Sequence, residues 1–131
     1  MAMERVPARV LVVDDDHVVA DTLVLILKNR GFDCRAVYSG EEAVELVQTW
    51  PPEFVISDIL MGKMDGVALA SFLAQSLPAC KVLLITALLS AVEYLEPAKQ
   101  QGYSFPVLSK PAAPDAILEF LASSDAVKVR E

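Results

Sequence analysis

No apolar run in this chain approaches the ~20 residues that a membrane span needs, and the N-terminal Met-Ala-Met-Glu-Arg has no signal-peptide apolar region. No membrane contact is expected, and a cytoplasmic location is. Basic charge is also scarce: 11 Lys and Arg face 18 Asp and Glu, a net charge of -7 at pH 7. Direct binding of DNA or RNA normally shows a basic patch, so it is not expected, and the acid excess serves solubility. Cysteine is limited to Cys34 and Cys80, each isolated inside or beside a strand-like segment. Residues placed like that act as small buried apolar groups in a reducing compartment, not as a disulfide or metal pair. Repeats, low-complexity tracts and linkers are absent. With 54% hydrophobic and 22% charged residues, the 131-residue chain reads as a single folded domain over residues 1–131, its core at about 9–123.

What is present is a series of short apolar runs, four of which end on a residue suited to phosphate or a hard cation. Val10-Leu11-Val12-Val13 runs into Asp14-Asp15-Asp16, and Phe54-Val55-Ile56-Ser57 into Asp58. Val82-Leu83-Leu84-Ile85 runs into Thr86, and Val107-Leu108-Ser109 into Lys110-Pro111. Short β-branched runs separated by helix-length segments predict buried parallel strands with crossover helices, an α/β doubly wound sheet. In such a sheet the strand C-termini line one crevice, where ligands bind. The carboxylates, the hydroxyl and the ammonium are therefore expected to converge at one rim.

The connecting segments fit that architecture. His17 to Arg30 carries Val18, Leu23, Ile26 and Leu27 on one helical face, with Gly31 as its stop. A second strand is expected near Cys34–Val37, and Ser39 is placed to cap a helix with Glu41 and Glu42 in its first turn. A loop from Ile59 to Asp65, closed by Gly66, leads to a helix over Val67–Ser76. Ser90 to Gln101 has helical composition but contains Pro97, which costs roughly 3 kcal/mol inside a helix, so a short or kinked element is expected. Pro106 suits the edge position of the strand after it. Ala113 to Ser123 completes the helices, and the polar tail, residues 124–131, is expected to fray.

Three adjacent aspartates at a strand end raise one another's pKa, so the cluster is costly unless a cation shares it. Mg²⁺ takes one or two carboxylates plus water and phosphate oxygens, a set that Asp14, Asp15 and Asp58 can supply; Asp16 is free to cap the following helix. An acidic triplet alone fits a capped loop as well as a metal site. A carboxylate such as Asp58 can also attack phosphorus to form an aspartyl-phosphate, with Lys110 and Mg²⁺ neutralising the incoming oxygens. The Thr86 hydroxyl is suited to hold a phosphoryl oxygen, and Ala87 leaves room for one. Singly, Thr86 reads as a turn residue, Lys110-Pro111 as a solvated pair and Asp65-Gly66 as a turn. Their joint order is far more specific.

Leu11-Val12-Val13-Asp14-Asp15, the stretch Asp58-Ile59-Leu60-Met61-Gly62-Lys63-Met64-Asp65-Gly66, Thr86-Ala87 and Lys110-Pro111 together resemble the receiver domains of two-component response regulators. The resemblance covers about residues 9–123. It implies a flavodoxin-like five-stranded parallel sheet in order 2-1-3-4-5, with helices on both faces. It implies that Asp14 and Asp15 are an acidic Mg²⁺ pair, that Asp58 is the phospho-acceptor and that the backbone carbonyl of Leu60 is a further Mg²⁺ ligand. Thr86 becomes the switch hydroxyl and Lys110 the ammonium that contacts phosphate. The donor would be a histidine kinase or phosphotransfer protein, and the output a contact with an effector protein in trans, or with further domains if the chain is part of a longer one. Against the family pattern, Gly62 replaces a usual Pro, Val107 a usual aromatic, and Ala112 a bulkier residue. One extra residue between Gly102 and Lys110 suggests a bulge that would bring Phe105 to the aromatic place.

Two other readings compete. A receiver-like scaffold that docks a partner without phosphorylation is motivated by the changes at Pro97 and Val107. A haloacid-dehalogenase-type phosphatase with Asp14 as nucleophile is motivated by Asp14-x-Asp16 after an apolar strand. The phosphatase reading lacks an acidic pair after Lys110 and room for a cap domain, and it leaves Asp58 without a role. The chain is therefore expected to be a signalling phospho-acceptor, with self-phosphorylation and autodephosphorylation as its only chemistry.

Overall fold

The computed structural model describes residues 4–88, 93–123 and 128–130. Its strands are β1 (Glu4–Val6), β2 (Arg9–Val13), β3 (Asp33–Val37), β4 (Phe54–Asp58), β5 (Lys81–Thr86), β6 (Val107–Ser109) and β7 (Lys128–Arg130). Its helices are α1 (His17–Asn29), α2 (Gly40–Leu46), α3 (Gly66–Ser76), α4 (Glu96–Gln100) and α5 (Pro114–Ser123). Five strands form one parallel sheet in the order β3-β2-β4-β5-β6, which is the expected 2-1-3-4-5 once β1 is set aside.

Both faces of each central strand are apolar, which is why the runs are continuous and do not alternate. On one face Leu11, Val13, Val55 and Leu84 pack against Ala43, Leu69, Leu73 and Ala98 of α2, α3 and α4. On the other, Val12, Ile56, Leu83 and Ile85 pack against Ala20, Leu27, Ile117 and Leu121 of α1 and α5. Each fully buried aliphatic side chain contributes roughly 1.5–3 kcal/mol, so the central strands anchor the rim above them. At the β3 edge, the buried Trp50 lies under the guanidinium groups of Arg9 and Arg35, 5.4 and 4.8 Å from its ring centroid. Burial pushes the free thiols of Cys34 and Cys80 up to about 12, which keeps them protonated at neutral pH.

The helix starts follow their caps. Asp16 accepts from Val18 N and Val19 N, Ser39 from Glu42 N, and Asp65 from Ala68 N. After Arg30, Gly31 turns the chain at φ 93°.

Two details depart from expectation, and a third follows it. Around Pro97 the helix is short, as expected: α4 has only five residues, and Pro97 lies in its first turn, where a missing N–H is no loss. Residues 89–92, the start of the expected helix, lie outside the described residues. The extra residue before Lys110 makes no bulge in β6, which pairs in regular register (Leu84↔Val107, Thr86↔Ser109). Val107 keeps its place, and Phe105 packs on the same core beside Tyr103, with ring centroids 6.0 Å apart. Part of the tail expected to fray is placed in a strand as well. Residues 128–130 pair antiparallel with residues 4–6, Glu4↔Arg130 to Val6↔Lys128, which satisfies backbone groups that neither segment can satisfy alone. Residues 124–127 and 131 lie outside the described residues. Among the described residues no helix is long and apolar enough to cross a membrane.

Candidate functional site

Because β2, β4, β5 and β6 are parallel, Asp14, Asp58, Thr86 and Lys110 all arrive at the same end of the sheet. Lys110 Nζ donates to Asp14 Oδ2 at 2.7 Å and to Asp58 Oδ2 at 3.2 Å, joining residues 96 and 52 positions away in sequence. Asp14 and Asp58 are buried and Asp15 is exposed. One carboxylate oxygen from each of the three lies within 4.8 Å of the others. An octahedral Mg²⁺ at 2.0–2.1 Å holds neighbouring oxygens about 2.9 Å apart and opposite ones about 4.2 Å apart, so the three carboxylates would draw together to share one ion. The donor chemistry, three hard carboxylates, fits that ion.

Asp16 stands apart from Asp14, Asp15 and Asp58. Asp16 does not join the cluster; its carboxylate caps α1, and its backbone N–H donates to Asp14 Oδ1 at 2.9 Å. The N-terminus of α1 thus fixes one oxygen of Asp14 while Lys110 holds the other. Thr86 is buried at the end of β5, but its hydroxyl turns to the backbone of Leu88, donating to the carbonyl at 3.1 Å and accepting from N–H at 3.2 Å. Moving that hydroxyl toward the acids requires breaking both bonds. Leu60 follows β4 as a partly buried residue packed on the core.

Sequence reasoning missed one residue that shapes the site. Gly66, the first residue of α3, packs so closely under β4 that a Cβ there would lie 2.1 Å from the Asp58 carbonyl oxygen. Its N–H donates to Ile59 O at 2.8 Å. The Asp65-Gly66 pair is therefore more than a turn: Asp65 starts the helix and Gly66 lets it press against the backbone of Asp58. Gly66 stood in the stretch that carries the resemblance, but glycine at a helix start, where many residues serve, gave no physical reason for it. On the α1 side, His17 stacks on Tyr38, with centroids 3.6 Å apart at 11°, and the Tyr38 hydroxyl donates to Asp21 at 2.7 Å. That pair ties the helix bearing the acid loop to the end of β3.

Burial raises the Asp58 pKa above the ordinary carboxylate value; Lys110 opposes this, and Asp14 and Asp15 reinforce it. Burial alone would lower the Lys110 pKa, but its hydrogen bond to Asp14 and the charges of Asp58 and Asp14 carry it upward. A carboxylate with a raised folded pKa binds its proton more tightly in the native state, so stability falls as pH climbs from the unfolded value through the folded one. Asp58→Asn removes that charge and keeps an acceptor for Lys110. We expect its melting temperature to exceed the wild type's at neutral pH by on the order of a few degrees, the gap closing on acidification. A gap that is constant with pH, or a less stable variant at neutral pH, would contradict this origin.

The family model for the response regulator receiver domain matches residues 10–122. The chain is 32% identical over 117 residues to the transcriptional regulatory protein GlrR of Escherichia coli (strain K12), covering 89% of this chain and 26% of that one. It is 36% identical over 100 residues to the DNA-binding transcriptional regulator NtrC of Klebsiella pneumoniae, covering 76% of this chain and 21% of that one. The chain therefore spans about a quarter of the length of these curated relatives. Among solved structures, the chemotaxis response regulator CheY4 of Vibrio cholerae is similar at a TM-score of 0.77 and 25% identity, covering 91% of this chain and 99% of that one. The chain belongs to the response regulator receiver domain family of two-component signalling.

Proposed function

We propose that Asp58 accepts a phosphoryl group from a histidine kinase or phosphotransfer protein in a Mg²⁺-dependent step, in the cytoplasm, and that the adduct switches a protein-interaction surface. The observation that carries this reading is the grouping of the Asp14, Asp15 and Asp58 carboxylates at one sheet edge, with the Lys110 ammonium bonded to Asp14 and Asp58. An Asp58 carboxylate oxygen attacks phosphorus; the bond to the donor's leaving atom breaks, and the leaving group takes the electron pair. Lys110, already within hydrogen-bond reach of Asp58, neutralises the oxygens that arrive there. Asp14, Asp15, Asp58 and the carbonyl of Leu60 would hold Mg²⁺, which would supply the remaining charge neutralisation. The new dianion attracts Lys110 and gives the Thr86 hydroxyl a stronger acceptor than Leu88 O. That exchange biases α4, β6 and α5 toward a second state, which an effector protein in trans reads. A charge-assisted hydrogen bond contributes roughly 1.5–3 kcal/mol, so two of them approach the roughly 5.5 kcal/mol needed to invert a 1:99 population.

The phosphatase reading loses its second acid, because Asp16 is committed to Val18 N and Val19 N. The test is incubation with acetyl phosphate and Mg²⁺, read by intact-protein mass. One phosphoryl adduct is expected, absent in Asp58→Asn and absent when Mg²⁺ is chelated. An adduct that survives Asp58→Asn, or no adduct with acetyl phosphate, phosphoramidate or a phosphotransfer protein, removes the proposal.

A further inference from the structure

Beside the acid cluster the structure opens a cavity of about 540 Å³ between α1 and α5. Its floor is the sheet, with Val12, Ile56 and Ile85 almost wholly shielded from solvent. One wall is α1, where Val19, Leu23 and Ile26 follow one another at helical spacing. The other is Pro111, Ala112 and Ile117, and Ala112 is small where the resemblance leads one to expect bulk. At the mouth Val18 is 75% exposed, an apolar side chain that gains nothing from water. At the rim of the sheet the cavity is lined by Asp14, Asp58 and Lys110.

That combination, an apolar cleft with a few convergent polar groups and a volume within roughly 300–1,000 Å³, is the usual form of a small-molecule site. The charge selects among small molecules. Of the groups that line the cavity, the two carboxylates of Asp14 and Asp58 face one ammonium, that of Lys110, which leaves an excess of one negative charge, and the exposed Asp15 adds a second just outside the lining. An anionic head is repelled there, a neutral one gains little, and a cationic one is attracted.

We propose that this cavity binds a small amphipathic cation, a primary amine on an aliphatic or aromatic body, with its ammonium at Asp14 and Asp58 and its body on the α1–α5 walls. Bound there, the ammonium occupies the oxygens that a divalent ion would use. The occupant therefore excludes Mg²⁺ and blocks the phospho-acceptor. That consequence rests on the function proposed above; the binding does not.

The probe is 2-phenylethylammonium, titrated into the full chain without Mg²⁺ and followed by methyl NMR. The methyls of Val12, Ile56, Ile85 and Ile117 are expected to shift together, with half-saturation at about 1 mM or below. The neutral analogue 2-phenylethanol is expected to bind at least about tenfold more weakly, because it forgoes the charge-assisted contact. Ala112→Phe fills the cavity and is expected to weaken amine binding at least about tenfold while leaving Mg²⁺ binding intact. Ala112→Leu, a smaller intrusion, is expected to weaken it in the same direction and serves if the Phe variant does not fold. Methyls that stay unmoved overturn the proposal, as does equal affinity for the alcohol or a response confined to the acid-loop amides. Equally, shifts of the same methyls with protein concentration alone, accompanied by dimers in sedimentation, assign the cavity to a second copy and overturn it. Amine binding that persists while acetyl phosphate gives no adduct would remove only the phospho-acceptor reading.

Discussion

Gly66→Ala is expected to lose at least roughly 3 kcal/mol of stability, although alanine is the better helix former by up to about 1 kcal/mol. The clash outweighs the propensity because of what the new Cβ meets. It would lie 2.1 Å from the Asp58 carbonyl oxygen, 2.9 Å from the Asp58 carbonyl carbon and 3.0 Å from Ile59 Cα. All three are backbone atoms of a strand end buried in the sheet, so no side chain can rotate away. Relief requires α3 to lift from β4, which stretches the Gly66 N–H bond to Ile59 O and moves Asp58 relative to Lys110. Phosphoryl acceptance should therefore fall along with the urea midpoint. Gly62→Ala is the control: a Cβ there meets nothing within 4 Å, and removing glycine from the unfolded ensemble stabilises by up to about 1 kcal/mol. Equal midpoints for the two variants would show that the close approach of α3 to Asp58 is not as described.

The contrast between these two glycines shows where the sequence stops being legible. Strand positions were readable because the buried runs Val10–Val13, Phe54–Ser57 and Val82–Ile85 are continuous and too short for helices. Parallel pairing then brings their last residues to one edge, so Asp14, Asp58 and Lys110 were predictable as neighbours across long sequence separations. Gly66 was not, because its role lies in the distance between a helix and a strand, which no local pattern encodes. The direction of the Thr86 hydroxyl was likewise hidden. The residue type gives a donor and an acceptor, but only the turn to Leu88 shows where both are spent. Pro97 pointed to a short or kinked element and α4 is short, but the sequence did not show that Pro97 begins the helix and does not break it. The β1–β7 pairing joins three-residue segments from opposite ends of the chain, too short to show a period.

The same geometry explains why the site is held at some cost. Asp14 and Asp58 sit at the ends of strands buried in the sheet, so their positions are fixed by core packing while their charges are poorly solvated. Lys110 is the compensating charge, delivered by the short edge strand β6 and by the backbone bond from Lys110 N to Thr86 O at 2.8 Å. One residue therefore couples the stability of the acid pair to the position of the edge strand and to the end of β5, where Thr86 lies.

Lys110→Met tests that coupling and is expected to cost roughly 2–4 kcal/mol at neutral pH, since removing one partner of a largely buried ion pair strands the other. The Lys110 side chain is 23% exposed, against 6% for Asp14 and 10% for Asp58, so the stranded charges are the more deeply buried ones. The loss carries a pH signature. Lys110 opposes the rise in the Asp58 pKa, so without it that pKa moves further up. The variant's native state then binds a proton that the unfolded chain releases over a wider window, and its stability falls more steeply as pH rises above the ordinary carboxylate value. Near that value, about pH 4, Asp58 is protonated and the deficit should shrink. The Lys110 charge itself, with its pKa raised, stabilises the wild type below the ordinary lysine value and is lost only as pH climbs through the raised one, so it is fully present at neutral pH. Mg²⁺ should restore more stability to the variant than it adds to the wild type, because the acids then have no competing ammonium. Denaturant melts at about pH 4 and about pH 7, each with and without Mg²⁺, decide the matter. A deficit independent of both pH and Mg²⁺ would mean that Lys110 contributes packing at the edge strand and not the charge that holds Asp14 and Asp58 together.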